Sequence, residues 1–121
     1  MQSTSDILVI DDDAAIVEML VDVLQYAGYA ARSACSSGGA LMALAARLPA
    51  LILLDGTMQY HETTLLEKLC GQIHTEVPIV IISASSRIHE SVLARGAVDF
   101  LAKPFDLDEL LACVARYVPG S

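Results

Sequence analysis

Apolar runs of strand length recur along the chain. Ile7 to Ile10 and Leu51 to Leu54 are continuous, and Val77 to Ile82 is interrupted only by Pro78. Tyr29 to Ser33 and Asp99 to Ala102 are weaker runs of comparable length. The strong runs do not alternate polar with apolar positions, which marks strands buried on both faces of a parallel sheet. Such a sheet needs helices over both faces.

Segments of helical period lie between the runs. Ile16, Met19, Leu20, Val23 and Leu24 recur at three- and four-residue spacing, and Gly28 stands where that helix would end. A second apolar stretch from about Gly39 to Leu48 stops before Pro49, and the SSGG at 36 to 39 reads as the turn before it. A third helix is predicted from about Thr63 to Ile73, after a loop from Gly56 to Glu62. A short fourth, near His89 to Arg95, ends at Gly96. The last opens at Asp106, with Glu109 three residues on in a capping-box arrangement, and is expected to reach about Tyr117. Five β-α units with right-handed crossovers give an α/β fold, a doubly wound parallel sheet of five strands with five helices. No linker, low-complexity tract or repeat interrupts the 121 residues, so one domain over 1–121 is expected, with its core at about 6–118.

A 55% hydrophobic content can fill that core without disulfides. Cys35, Cys70 and Cys113 have no CxxC spacing, and their odd number suits a reducing compartment. The formal charge of −8 disfavours direct contact with nucleic acid phosphates. The amino terminus has neither a basic leader region nor an apolar run long enough to span a bilayer, so a cytoplasmic protein without membrane attachment is expected.

Ligands of open α/β sheets bind beyond the carboxyl ends of the strands. The apolar runs lead there into Asp11, Asp12 and Asp13, into Asp55, into Ser83, and into Lys103 followed by Pro104. Crowded carboxylates repel unless a cation neutralises them, and hard oxygen donors suit Mg²⁺, with Mn²⁺ as a substitute. A lysine and a hydroxyl beside such a site supply what phosphoryl transfer needs, positive charge and a hydrogen-bond donor for the transferring oxygens. The chain has only two lysines, Lys68 and Lys103. Plainer roles exist for each residue: one of the aspartates could cap the first helix, and an aromatic such as Phe100 on a strand is usually core. His61, His74 and His89 lack metal-ligand spacing and read as solvated, and no GK[ST] follows the SSGG to make a phosphate loop.

The ordered set Asp11, Asp12, Asp55, Ser83 and Lys103, carried on ILVIDDD, LILLD, PIVIISA and DFLAKPFDLDELL, resembles the receiver domains of two-component response regulators. The resemblance runs from Ile7 to about Tyr117. It implies a flavodoxin-like sheet of strand order 2-1-3-4-5, with Asp55 as the phosphoacceptor for a phosphohistidine of a histidine kinase or phosphotransfer protein. It further implies that Asp11, Asp12 and Asp55, with the Thr57 carbonyl, hold Mg²⁺, and that Ser83 and Lys103 contact the phosphoryl group. Asp55 and Lys103 are then the residues of the transfer itself. Ser83 and Phe100 would form the switch that reports phosphorylation to the face of the fourth helix, last strand and last helix, where a downstream protein or output domain docks. The Lys103–Pro104 bond falls where the family commonly has a cis peptide. Such a domain is not an enzyme toward other substrates; it catalyses only its own phosphorylation and dephosphorylation.

Two features depart from the family pattern. The proline and glycine common four and eight positions after the phosphoacceptor are Gln59 and Thr63, and SSRIHESVLARGAVDF is slightly shorter than its counterparts. Two rivals follow. One is a phosphorylation-independent protein-binding module on the receiver fold. The other is a phosphatase of the haloacid dehalogenase type using Asp11 and Asp13, although Ala15 stands where that family has Thr or Val. The ending ARYVPGS suits either a natural terminus or a linker stub.

Overall fold

The central strands form where the sequence is most continuously aliphatic. In β1 (Ile7–Ile10), β3 (Leu51–Asp55) and β4 (Ile79–Ser83) every residue is buried. The weaker runs become β2 (Ala31–Ala34) and β5 (Asp99–Ala102), the two edges of the sheet. An edge strand keeps one side open to water, so its sequence need not be uniformly apolar. All five strands are parallel in the order β2-β1-β3-β4-β5. The computed structural model describes residues 6–56, 71, 77–84 and 96–118. The fourth predicted helix lies outside these, and so does the third except for Gly71, which is helical; His61, His74, His89 and Cys70 lie outside them as well.

Side-chain alternation divides the core into two layers. Ile7, Val9, Leu51, Leu53, Val80 and Ile82 pack with α1 (Ala14–Tyr26) and with the C-terminal helix α3 (Leu107–Tyr117). Leu8, Ile10, Ile52, Leu54, Ile79 and Ile81 face the opposite way, against α2 (Ser37–Ala46). Helices on both faces make the sheet doubly wound, as the runs without alternation require. Among the described residues no helix is long and apolar enough to cross a membrane.

Local chemistry sets the helix ends. Asp13 caps α1, its carboxylate accepting from the N–H groups of Ala15 and Ile16. Gly28, at φ 102°, ends the same helix: its N–H donates to the Gln25 carbonyl and that of Tyr29 to the Leu24 carbonyl. In α3 the capping box closes both ways, Glu109 N–H to Asp106 at 2.8 Å and Asp106 N–H to Glu109 at 3.0 Å.

Several boundaries differ from the sequence reading. Ser36 Oγ accepts from Gly39 N–H at 3.0 Å, so Ser37 to Gly39 are the first turn of α2 and not a turn ahead of it. That helix ends at Ala46 instead of Leu48: Leu48 precedes a proline and so avoids the helical conformation, and Arg47 before it is already extended. β2 starts at Ala31, since Tyr29 is held by the ending of α1. β4 starts at Ile79, past the proline that has no N–H for the ladder, and extends to Ser83.

At the amino end of the sheet an ion triad ties β1, β2 and α2 together. The buried Asp6 Oδ2 accepts from Arg32 Nε at 2.6 Å and from Arg47 Nη2 at 2.9 Å. Arg32 also donates to the carbonyls of Ala43 and Arg47, beyond the reach of any local sequence signal. Removing one member of a fully buried pair costs about 3–5 kcal/mol. Arg47 is 57% exposed, so Asp6→Ala is expected to lower unfolding free energy by about 2–3 kcal/mol, measured by urea denaturation at neutral pH.

Candidate functional site

Sheet register brings distant carboxylates to one place. Ile10 pairs with Leu54, so Asp11 leaves β1 beside Asp55 at the end of β3. Asp55 pairs in turn with Ile82, the residue before Ser83. Ser83 pairs with Ala102, so Lys103 follows at the same edge, and its N–H donates to the Ser83 carbonyl at 2.9 Å. β1 and β3 are the neighbours between which the chain changes direction across the sheet, the point where α/β folds open a crevice for ligands.

Lys103 Nζ donates to Asp55 Oδ1 at 3.0 Å. Carboxylate oxygens of Asp11, Asp12 and Asp55 lie within 4.8 Å of one another. Asp11 and Asp55 are 4% and 5% exposed, whereas Asp12 is open to solvent. Three carboxylates against one ammonium leave a formal charge of −2, with two of the carboxylates buried. Burial raises the Asp11 carboxyl above the usual range. The N–H of Asp13, 2.9 Å from Asp11 Oδ1, pulls it down, Asp55 pushes it up, Lys103 lowers it and Asp12 raises it. A donor set of hard, mutually repelling oxygens fits a divalent cation of the Mg²⁺ type.

Asp11, Asp12, Asp55 and Lys103 are thus brought together, and Ser83, 7% exposed, lies buried on the adjoining strand end. Phe100 is part-buried on β5 against the core layer of α2. Thr57 lies outside the described residues, with Gln59 and Thr63. Asp13 does not join the cluster; it serves as the helix cap that one of the three aspartates could have been. The Lys103–Pro104 peptide is cis.

Two further features had no local sequence signal. Asp99 Oδ2 accepts from Tyr117 Oη at 2.7 Å and from Arg116 Nη1 at 2.8 Å, joining β5 to α3. Burial, then the bond to Asp99, pushes the Tyr117 hydroxyl up to about 12. Beside Lys103, an almost wholly apolar groove runs between α1 and the start of α3. Met19, whose spacing suggested the core, is 44% exposed in its wall.

Comparison with known proteins agrees with this geometry. A family model described as the response regulator receiver domain matches residues 7–115. The chain is similar to the nitrogen assimilation regulatory protein NtrX of Azorhizobium caulinodans, 42% identical over 115 residues covering 92% of the chain and 25% of the relative. The crystal structure of the receiver domain of NtrX from Brucella abortus superposes with a TM-score of 0.81 at 34% identity, covering 96% of this chain and 100% of that one. NtrX from Brucella abortus in complex with ADP gives 0.86 at 34% identity, covering 96% and 26%. The chain spans about a quarter of the length of the curated relatives it matches first.

The raised Asp11 carboxyl has a stability consequence. The folded state binds that proton more tightly than the unfolded chain, so the contribution is full below the ordinary value of 3.8 and is lost as pH rises through the higher folded value. Metal-free Asp11→Asn is therefore expected to resist urea better than wild type at pH near 7. Its advantage should shrink as pH falls toward 4, in paired denaturation curves.

Proposed function

The chain belongs to the response regulator receiver domain family, and on that premise we propose that it accepts a phosphoryl group on Asp55 from the phosphohistidine of a histidine kinase or phosphotransfer protein. The observation that carries this reading is the buried Asp55 carboxylate, 3.0 Å from Lys103 Nζ and clustered with Asp11 and Asp12.

Asp55 can act as a nucleophile because Lys103 holds one of its oxygens, fixing where the other points. As an Asp55 oxygen bonds to phosphorus, the bond from phosphorus to the donor histidine nitrogen breaks. The Lys103 ammonium is then placed to take up charge on the phosphoryl oxygens. Asp11, Asp12 and Asp55 would hold Mg²⁺, with the Thr57 carbonyl added by family resemblance. Bound there, the ion supplies neutralising charge to the oxygens of the transferring group. The buried Ser83 hydroxyl would reach a further phosphoryl oxygen, and its movement, with that of Phe100, would shift the domain between two states. Chemistry of this kind alters only the domain itself, and the consequence passes to a downstream protein or output domain.

The haloacid dehalogenase reading loses its second carboxylate, because Asp13 is committed to the cap of α1. The binding-module reading keeps the fold but leaves the Asp55–Lys103 pair without a purpose.

Intact-protein mass after incubation with acetyl phosphate tests the proposal. A single phosphoryl adduct should form in wild type with Mg²⁺, and should be absent without Mg²⁺ or in Asp55→Asn; no adduct in wild type would overturn phosphorylation at this site. Lys103→Ala should slow adduct formation by about 100-fold. Mg²⁺ at about 100 times its dissociation constant should stabilise wild type by about 2.7 kcal/mol in thermal melts, and Asp12→Ala much less.

A further inference from the structure

The groove beside Lys103 has a volume of about 430 Å³, within the size range of small-molecule sites. Its walls are Ile16 and Met19 of α1, Pro104 and Phe105 of the connection after β5, and Leu107 at the start of α3. Ala84, directly after Ser83, closes another side. Lys103 is part of the lining and is also the residue whose Nζ stands 3.0 Å from Asp55 Oδ1. The groove therefore borders the lysine that reaches the phosphoacceptor, and the rest of its lining is hydrocarbon. Met19 and Leu107 remain 44% and 52% exposed, so this apolar surface is available to a ligand.

A matching ligand has an anionic head joined to an apolar body. Resting on the phosphoacceptor reading of Asp55, we infer that the groove seats the leaving group of a small-molecule phosphodonor, so that the domain prefers acyl phosphates with an aliphatic chain over acetyl phosphate. The phosphoryl head meets Lys103 and Asp55, and the acyl chain lies along Met19, Phe105 and Leu107. An Asp55 oxygen bonds to phosphorus while the bond between phosphorus and the acyl oxygen breaks. The acyl group departs as a carboxylate with the bonding electron pair, so charge balances and no proton moves. Each methylene buried in the groove is withdrawn from water in the bound donor, which favours longer chains until the groove is filled.

The test compares initial rates of Asp55 phosphorylation by acetyl, butyryl and hexanoyl phosphate, at equal subsaturating concentrations with Mg²⁺, read by intact mass. Hexanoyl phosphate is expected to react about tenfold faster than acetyl phosphate, a gain well below full burial of the added methylenes because the groove is open. Met19→Glu and Leu107→Glu should bring the ratio of hexanoyl to acetyl rates down to about one, each variant serving as its own reference. Met42→Glu, at a 75% exposed site on α2 remote from the groove, should keep the wild-type ratio. Equal rates for all three donors in wild type would overturn the inference while leaving phosphorylation at Asp55 intact. A chain-length gain that survives both groove substitutions would overturn it as well. Failure of every donor, acetyl phosphate included, would remove the phosphoacceptor reading and this inference with it.

Discussion

A carboxylate taken out of water needs a compensating charge, and Asp55 finds one in Lys103, 48 residues further along the chain. Much of the fold serves that meeting. β4 must lie between β3 and β5, both must run parallel to it, and the register must end the strands at one level. Apolar residues buried on both faces of β1, β3 and β4 hold that register, because a slip of one residue would turn each side chain to the other face.

The two ends of the sheet use charge in opposite ways. At the amino end, Asp6 receives two guanidinium groups, and the triad binds α2 to the first two strands. At the carboxyl end, three carboxylates share one ammonium and an excess of negative charge persists. The second arrangement is costly for the bare protein: burial first, and then the neighbouring carboxylates, push the Asp11 carboxyl up.

Outside the crevice, α1 and α3 extend the site in two directions. Between them lies the apolar groove that reaches Lys103. At the far end of α3, Tyr117 and Arg116 anchor the helix to Asp99, the neighbour of Phe100. The same helix therefore borders the entrance to the site and is tied to the strand that carries the proposed switch aromatic.

Strands, the cap of the last helix and the residues of the crevice were legible in the sequence because each follows from local chemistry. Unbroken aliphatic runs mark buried parallel strands, Asp106 with Glu109 marks a helix start, and polar residues directly after apolar runs mark the carboxyl edge of a sheet. Resemblance to a known family then supplied the strand order and the expected roles. The resemblance pointed to Asp11 and Asp12 for the crevice, and the packed structure gives the cap of α1 to Asp13, since that depends on where β1 ends against its neighbours. Tertiary structure alone joined Asp6 to Arg32 and Arg47 across 26 and 41 residues, and Asp99 to Tyr117. It also left Met19 in the wall of a groove although its spacing matched the core. Periodicity tells which face of a helix is apolar; how much of that face the neighbouring elements cover is settled only when they pack.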